Sequence, residues 1–171
     1  AKMIIDCMSR TEGIITEEDL KKYYPVERKP IEFEYRGHKI FSMPPASSGG
    51  ITIAGILNQL ENIDLGSFNY HSAQHIHYVT EAERRVYADR AEFIGDIDFV
   101  AVPIEKLISD EYALSRWNTI DSLNASLSTD ISHGDLSKPY FESEETKPSP
   151  PVCGGLGVGI SLHVECVQFY T

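Results

Sequence analysis

The chain has 171 residues, of which 42% are hydrophobic and 24% charged, enough for one soluble domain with its own core. Its 26 acidic against 15 basic residues give a formal net charge of -11, which argues against nucleic acid and against anionic membranes as partners. No apolar run approaches the ~18 residues that a membrane-spanning helix needs.

The chain opens on Ala1-Lys2-Met3-Ile4-Ile5-Asp6-Cys7-Met8. This reads as the middle of an amphipathic helix over 1–10, so an internal piece of a longer protein is expected, with no signal peptide in view. Thr16-x-x-Asp19 ahead of Leu20 is a capping pattern and predicts a short helix ending near Tyr23-Tyr24-Pro25. In residues 31–42, Ile31, Phe33 and Tyr35 alternate with Glu32 and Glu34, which predicts a β-hairpin turning near Gly37. Met43-Pro44-Pro45-Ala46-Ser47-Ser48-Gly49-Gly50 then forms a stiff turn from strand to helix.

Ile51, Ile53, Ala54, Ile56, Leu57 and Leu60 give residues 50–62 the pattern of a buried helix, followed by a loop over 62–70. Ala73, Ile76, Val79, Ala82, Val86 and Phe93 form one stripe of a long helix over 72–93, which Gly95-Asp96 is expected to stop. A third helix is predicted over 104–117. Residues 121–138 are rich in Ser, Asn and Asp and weakly patterned, and read as a mobile loop or linker. Lys147-Pro148-Ser149-Pro150-Pro151 can neither continue a helix nor sit in a central strand, and a β-like apolar run follows Gly154-Gly155-Leu156-Gly157-Val158-Gly159.

Most candidate motifs have a plain structural reading. The 154–159 run has Ile160 where a dinucleotide loop needs glycine, and it lacks the Gly-Lys-Ser/Thr of a phosphate loop. His71 with His75, and His77 with Glu81, have ligand spacing, but without H-E-x-x-H or cysteine support they read as solvent-facing helix residues, so no metal is expected. Cys7, Cys153 and Cys166 suggest neither a disulfide framework nor a zinc site, although Cys153 and Cys166 could pair. Asp89, Glu92, Asp96 and Asp98 read as helix-end electrostatics and local ion pairs, and Gly95-Asp96-Ile97-Asp98 lacks the full calcium-loop pattern. Ser47 and Ser48 sit where a nucleophile can stand, but the G-x-S-x-G elbow is absent, and capping of the next helix is the better reading.

Several ordered motifs resemble one family. They are Ile15-Thr16-Glu17-Glu18-Asp19-Leu20, Glu27-Arg28-Lys29-Pro30, Tyr35-Arg36-Gly37, the Pro-Pro-x-Ser-Ser-Gly-Gly turn, Ala88-Asp89-Arg90-Ala91-Glu92, Gly95-Asp96-Ile97-Asp98-Phe99 and Val102-Pro103. The family is the γ-glutamyltranspeptidases, and the resemblance covers residues 1–146, the C-terminal part of the large subunit. It implies an α+β fold, a partial N-terminal-nucleophile hydrolase αββα sandwich made of helical layers plus a β-hairpin. It also implies transfer of a γ-glutamyl group from glutathione or a related amide to an amino acid, peptide or water, without a cofactor.

In that family an acidic linker ends at a threonine, and the precursor cleaves itself just before it. Mapped by the resemblance, Glu145 and Thr146 flank the cleavage site and Thr146 is the nucleophile. The family continues Thr-His-(Phe/Tyr)-Ser from the second threonine onward, whereas Lys147, Pro148 and Ser149 stand here. Residues 147–171 therefore read as a divergent tail. The small subunit, expected as a heterodimer partner, is missing, and with it the oxyanion and substrate contacts. The resemblance implies a periplasmic or secreted parent and an inactive fragment that does not cleave itself. Exposed apolar helix faces should favour a partner chain or self-association. Two other readings are a non-catalytic relic or scaffold domain, and a related acylase with another donor, such as poly-γ-glutamate or a β-lactam side chain.

Overall fold

The computed structural model describes residues 1–137. Helix α1 (Lys2–Thr11) closes on Glu12 in the left-handed conformation, and none of its residues is buried. Helix α2 (Glu17–Lys22) begins with the expected capping box. The Thr16 side chain takes the Asp19 N–H, and Asp19 Oδ2 accepts from the Thr16 N–H at 2.8 Å. Strands β1 (Ile31–Tyr35) and β2 (His38–Ser42) pair antiparallel, with Phe33 opposite Ile40 and Tyr35 opposite His38. Arg36 and Gly37 make the two-residue turn, both with positive φ (49° and 79°). Such turns match the strand twist, and glycine takes the second position without strain.

Helix α3 (Gly49–Leu60) is the centre of the fold, and it packs against the hairpin, α4 (Ala73–Phe93), α5 (Ile104–Leu107) and α6 (Asp110–Trp117). Ala54 and Ala82 are wholly buried on the two long helices, and a Cβ at Gly55 would stand 3.2 Å from Val86 Cγ2. These small residues let the helices approach closely. Ile31, Ile51, Leu107 and Tyr112 form the buried apolar cluster, with Phe33, Phe93, Ile104 and Leu136 around it. Each such apolar side chain contributes about 1.5–3 kcal/mol when fully removed from water. Helices with a small hairpin give the expected α+β class. Several large apolar side chains are outside this cluster, including Met3, Ile14, Phe99 and Leu123, each at least 85% exposed. Among the described residues no helix is long and apolar enough to cross a membrane.

The structure corrects the sequence reading in five places. The helix expected over 104–117 is two, because Ser109 leaves helical geometry and caps α6 by accepting the Tyr112 N–H at 3.2 Å. Ser48 holds the position before α3, but its hydroxyl makes no cap bond. Gly95 does not end α4, which leaves helical geometry at Ile94. A Cβ at Gly95 would instead stand 2.7 Å from Val100 Cγ2. The α4 stripe is buried only in part, with Ala82 and Val86 inside but Ile76 51% exposed. Finally, residues 121–137 are pinned to α4, α5 and α6 rather than forming a free linker. The motifs at 147–151 and 154–159, with Cys153, Cys166, Glu145 and Thr146, lie outside the described residues.

Candidate functional site

Helix α4 places Glu81, Arg85 and Asp89 one turn apart, and all three are buried. Buried charges persist only where partners replace the lost water. Here those partners come from α6 and the segment beyond it. The Glu81 carboxylate accepts from Arg84 Nη1 at 2.5 Å, Arg85 Nη1 at 2.7 Å and Ser126 Oγ at 2.6 Å. Burial alone would raise its pKa, but the hydrogen bonds from Ser126, Arg85 and Arg84 outweigh it and hold the group at about 2. Arg85 in turn donates from Nη2 to the Thr119 carbonyl at 2.6 Å and to Ser126 Oγ at 3.2 Å.

Asp89 closes the other end of the network. It accepts the Gly134 N–H at 2.8 Å and lies 3.1 Å from Arg116 Nε, and the Tyr112 hydroxyl favours its charged form. Burial pushes its pKa up, and Arg116, Gly134, Tyr112 and His133 offset that only in part. Arg116 Nη2 donates to the carbonyls of Arg85 at 3.1 Å and Ser132 at 2.8 Å.

Together these contacts make residues 119–136 a strap. His77 Nε2 donates to the Asp121 carbonyl at 2.7 Å, Arg84 reaches the Ser126 carbonyl at 2.8 Å and Ser128 Oγ at 3.0 Å, and Lys106 Nζ reaches the Leu136 carbonyl at 3.1 Å. Apart from Thr119, which Arg85 holds, partner numbers rise along α4 from His77–Asp121 through Glu81–Ser126 to Asp89–Gly134, so the helix and the strap run in the same direction. A polar sequence is thus held by polar anchors, which is why its weak hydrophobic pattern misled.

The other sequence candidates fall differently. The Ser48 hydroxyl accepts from Arg90 Nε at 2.9 Å and ties the turn to α4, while Ser47 Oγ takes the Gly49 N–H at 3.4 Å. Neither serine is hydrogen-bonded to a base among the described residues. Asp89 does not serve helix-end electrostatics, because its partner is Arg116 on another helix. Asp98 pairs with Arg28 at 2.6 Å, far along the chain, and Glu92 is exposed. His77 and Glu81 have separate partners in the strap. His71 and His75 are aromatic neighbours, with ring centroids 6.5 Å apart. Among the described residues no group of three or more His, Cys, Asp or Glu could hold a metal ion. Sequence reasoning missed Arg85 and Arg116. The available signal was Glu81 and Arg85, opposite charges one turn apart beside the buried pair Ala82 and Val86.

A family model described as Gamma-glutamyltranspeptidase matches residues 1–149. The glutathione hydrolase proenzyme of Escherichia coli is 47% identical over 146 residues, which is 85% of this chain and 25% of that protein. The Acylase ACY 1 proenzyme of Pseudomonas sp. (strain V22) is 39% identical over 67% of this chain and 21% of its own length. Among solved structures, the γ-glutamyltranspeptidase of Helicobacter pylori superposes with a TM-score of 0.74 at 42% identity, over 85% of this chain and 41% of that one. The chain spans about a quarter of the length of the curated relatives it matches. These likenesses place the helices and hairpin as part of an N-terminal-nucleophile hydrolase fold.

Proposed function

The chain belongs to the γ-glutamyltranspeptidase family, and from that premise we propose that its parent protein transfers or hydrolyses the γ-glutamyl group of glutathione and related amides. The family match carries this reading, because it runs through Thr146 to residue 149. Self-cleavage between Glu145 and Thr146 would free the Thr146 amine. The amine would take the proton from the threonine hydroxyl, which attacks the γ-carbonyl and forms an ester as the donor's amine leaves. Water or an amino acid then attacks the ester and restores the hydroxyl. The donor's α-carboxylate would be held by an arginine from earlier in the large subunit, and the amide and oxyanion contacts would come from a small subunit beginning at Thr146, where the divergent residues 147–171 stand in this chain. The parent is read as a heterodimer, exported to the periplasm or the medium.

The coding DNA beyond codon 146 tests this. A frame that reads on as Thr-His-(Phe/Tyr)-Ser into a long segment supports a working enzyme. Confirmation of the written frame, with no such segment elsewhere, favours a non-catalytic relic, as Lys147 and Pro148 already suggest. The 171-residue chain is expected to leave a γ-glutamyl anilide unhydrolysed and to show an unbroken intact mass, since the family resemblance assigns the oxyanion donors to the small subunit. Turnover abolished by Thr146→Ala would overturn that expectation. The likeness to Acylase ACY 1 supports a second reading, a parent acylase with another donor. A complete parent that releases a β-lactam side chain and ignores glutathione would establish it.

A further inference from the structure

Between α4, α6 and the strap lies a cavity of about 280 Å³, lined by Arg85, Arg116, Thr119, Ser126, Asp130, Ile131 and Ser132. We propose that this cavity binds a small zwitterionic amino acid, its carboxylate on Arg116 and its ammonium on Asp130.

The argument starts from which charges are already matched. The Arg85 guanidinium is fully engaged by Glu81, Thr119 and Ser126. Arg116 is 93% buried by its 7% exposure, pairs with Asp89 through Nε, and uses Nη2 for two carbonyls. Its Nη1 makes no hydrogen bond among the described residues, so two guanidinium N–H donors remain uncommitted on a side chain that lines the cavity. This Nη1 edge is open to the cavity, and a guanidinium edge of this kind gains a charge-assisted hydrogen bond from a charged acceptor. The Asp130 carboxylate is engaged by the Thr129 hydroxyl at 3.0 Å on Oδ1 and carries the opposite sign.

One uncommitted cationic edge and one carboxylate suit a ligand with one negative and one positive end. A simple anion would meet Asp130 as a like charge, and a simple amine would leave Arg116 Nη1 unmatched. The volume is just below the about 300–1,000 Å³ of drug-sized pockets, so the ligand is small. Ile131 offers an apolar contact for a short side chain, and Ser126 and Ser132 add polar atoms. Binding here does not require that the parent transfer γ-glutamyl groups.

The test is a titration of the isotopically labelled 171-residue chain with glycine, acetate and methylammonium, followed through backbone amide signals. Glycine is expected to saturate, shifting Ser126, Asp130 and Ser132. Acetate and methylammonium should each bind about tenfold or more weakly, since each lacks one charge-assisted hydrogen bond. Asp130 is exposed, so Asp130→Asn should fold normally. It should weaken glycine about tenfold and leave acetate no weaker, a difference near 1.4 kcal/mol for glycine. Failure of glycine to saturate would overturn the proposal. So would acetate binding as tightly as glycine, or glycine binding unchanged in Asp130→Asn.

Discussion

Replacing Glu81 with alanine is expected to destabilise the fold by about 3–5 kcal/mol, the usual cost of leaving one member of a buried ion pair alone. The side chains of Glu81 and Arg85 are 2% and 4% exposed, so the stranded guanidinium would recover little of the hydration it needs. The same variant removes the acceptor for Ser126. Thermal unfolding should show a fall in Tm on the order of 15 °C. A second variant separates charge from packing. Glu81→Leu combined with Arg85→Met removes both charges, and it should recover much of the loss. A Glu81→Ala protein within a degree or two of the wild type would show that the network contributes nothing.

Acid titration probes the same group without mutation. The folded-state pKa of Glu81 is depressed to about 2 from an ordinary 4.5. Its contribution is therefore fully present above about pH 4.5 and is lost as the pH falls towards 2. Asp89 has the opposite sign. Its folded pKa is raised, so its stabilising effect belongs to the protonated form and is lost as the pH rises through that value. The acid limb of the stability curve should therefore flatten in Glu81→Ala and persist in Asp89→Asn.

Gly50→Ala is the second large effect. Within a helix, glycine to alanine ordinarily stabilises by about 1 kcal/mol. At Gly50 the sign should reverse. A Cβ there would collide with the Met43 carbonyl oxygen and stand 3.1 Å from Ile31 Cγ1. Met43 is backbone and Ile31 is 5% exposed in the apolar cluster, so neither can yield easily. A cost of about 1–3 kcal/mol is expected. The neighbour is the control. At Gly49 the nearest atom to a Cβ is Ser47 Oγ at 3.5 Å, an ordinary contact, and Gly49→Ala should be neutral or slightly stabilising. Equal Tm values for the two variants would mean that the hairpin is not seated on α3 as described.

The sequence was most readable where a local rule acts alone. Thr16 and Asp19 cap α2 by side chains three residues apart, and the Arg36-Gly37 turn follows from a two-residue link between alternating strands. Reading failed where distant partners decide. Ser109 followed by Asp110 and Glu111 is a capping signal, but the apolar pattern on either side of it masked the break. Glu81, Arg85 and Asp89 look like a wet helix face until Arg116 and the strap are brought against them. The polar composition of 121–137 suggested mobility because its anchors are backbone carbonyls and hydroxyls rather than apolar side chains. For Glu145 and Thr146, family resemblance remains the only guide, since composition alone would make Thr146 an ordinary polar loop residue.

The strap has a kinetic consequence. Ser126 meets Glu81 and Gly134 meets Asp89 across 45 residues each, whereas α4 needs only local bonds and α3 packs on it early in the chain order. Loop closure over such a distance precedes any reward from the contact. Docking of the strap is therefore expected to follow the packing of α3 on α4, and its release to precede their separation. Native-state amide exchange should accordingly find Gly134 and Ser126 opening together, at a lower free energy than the α3 amides.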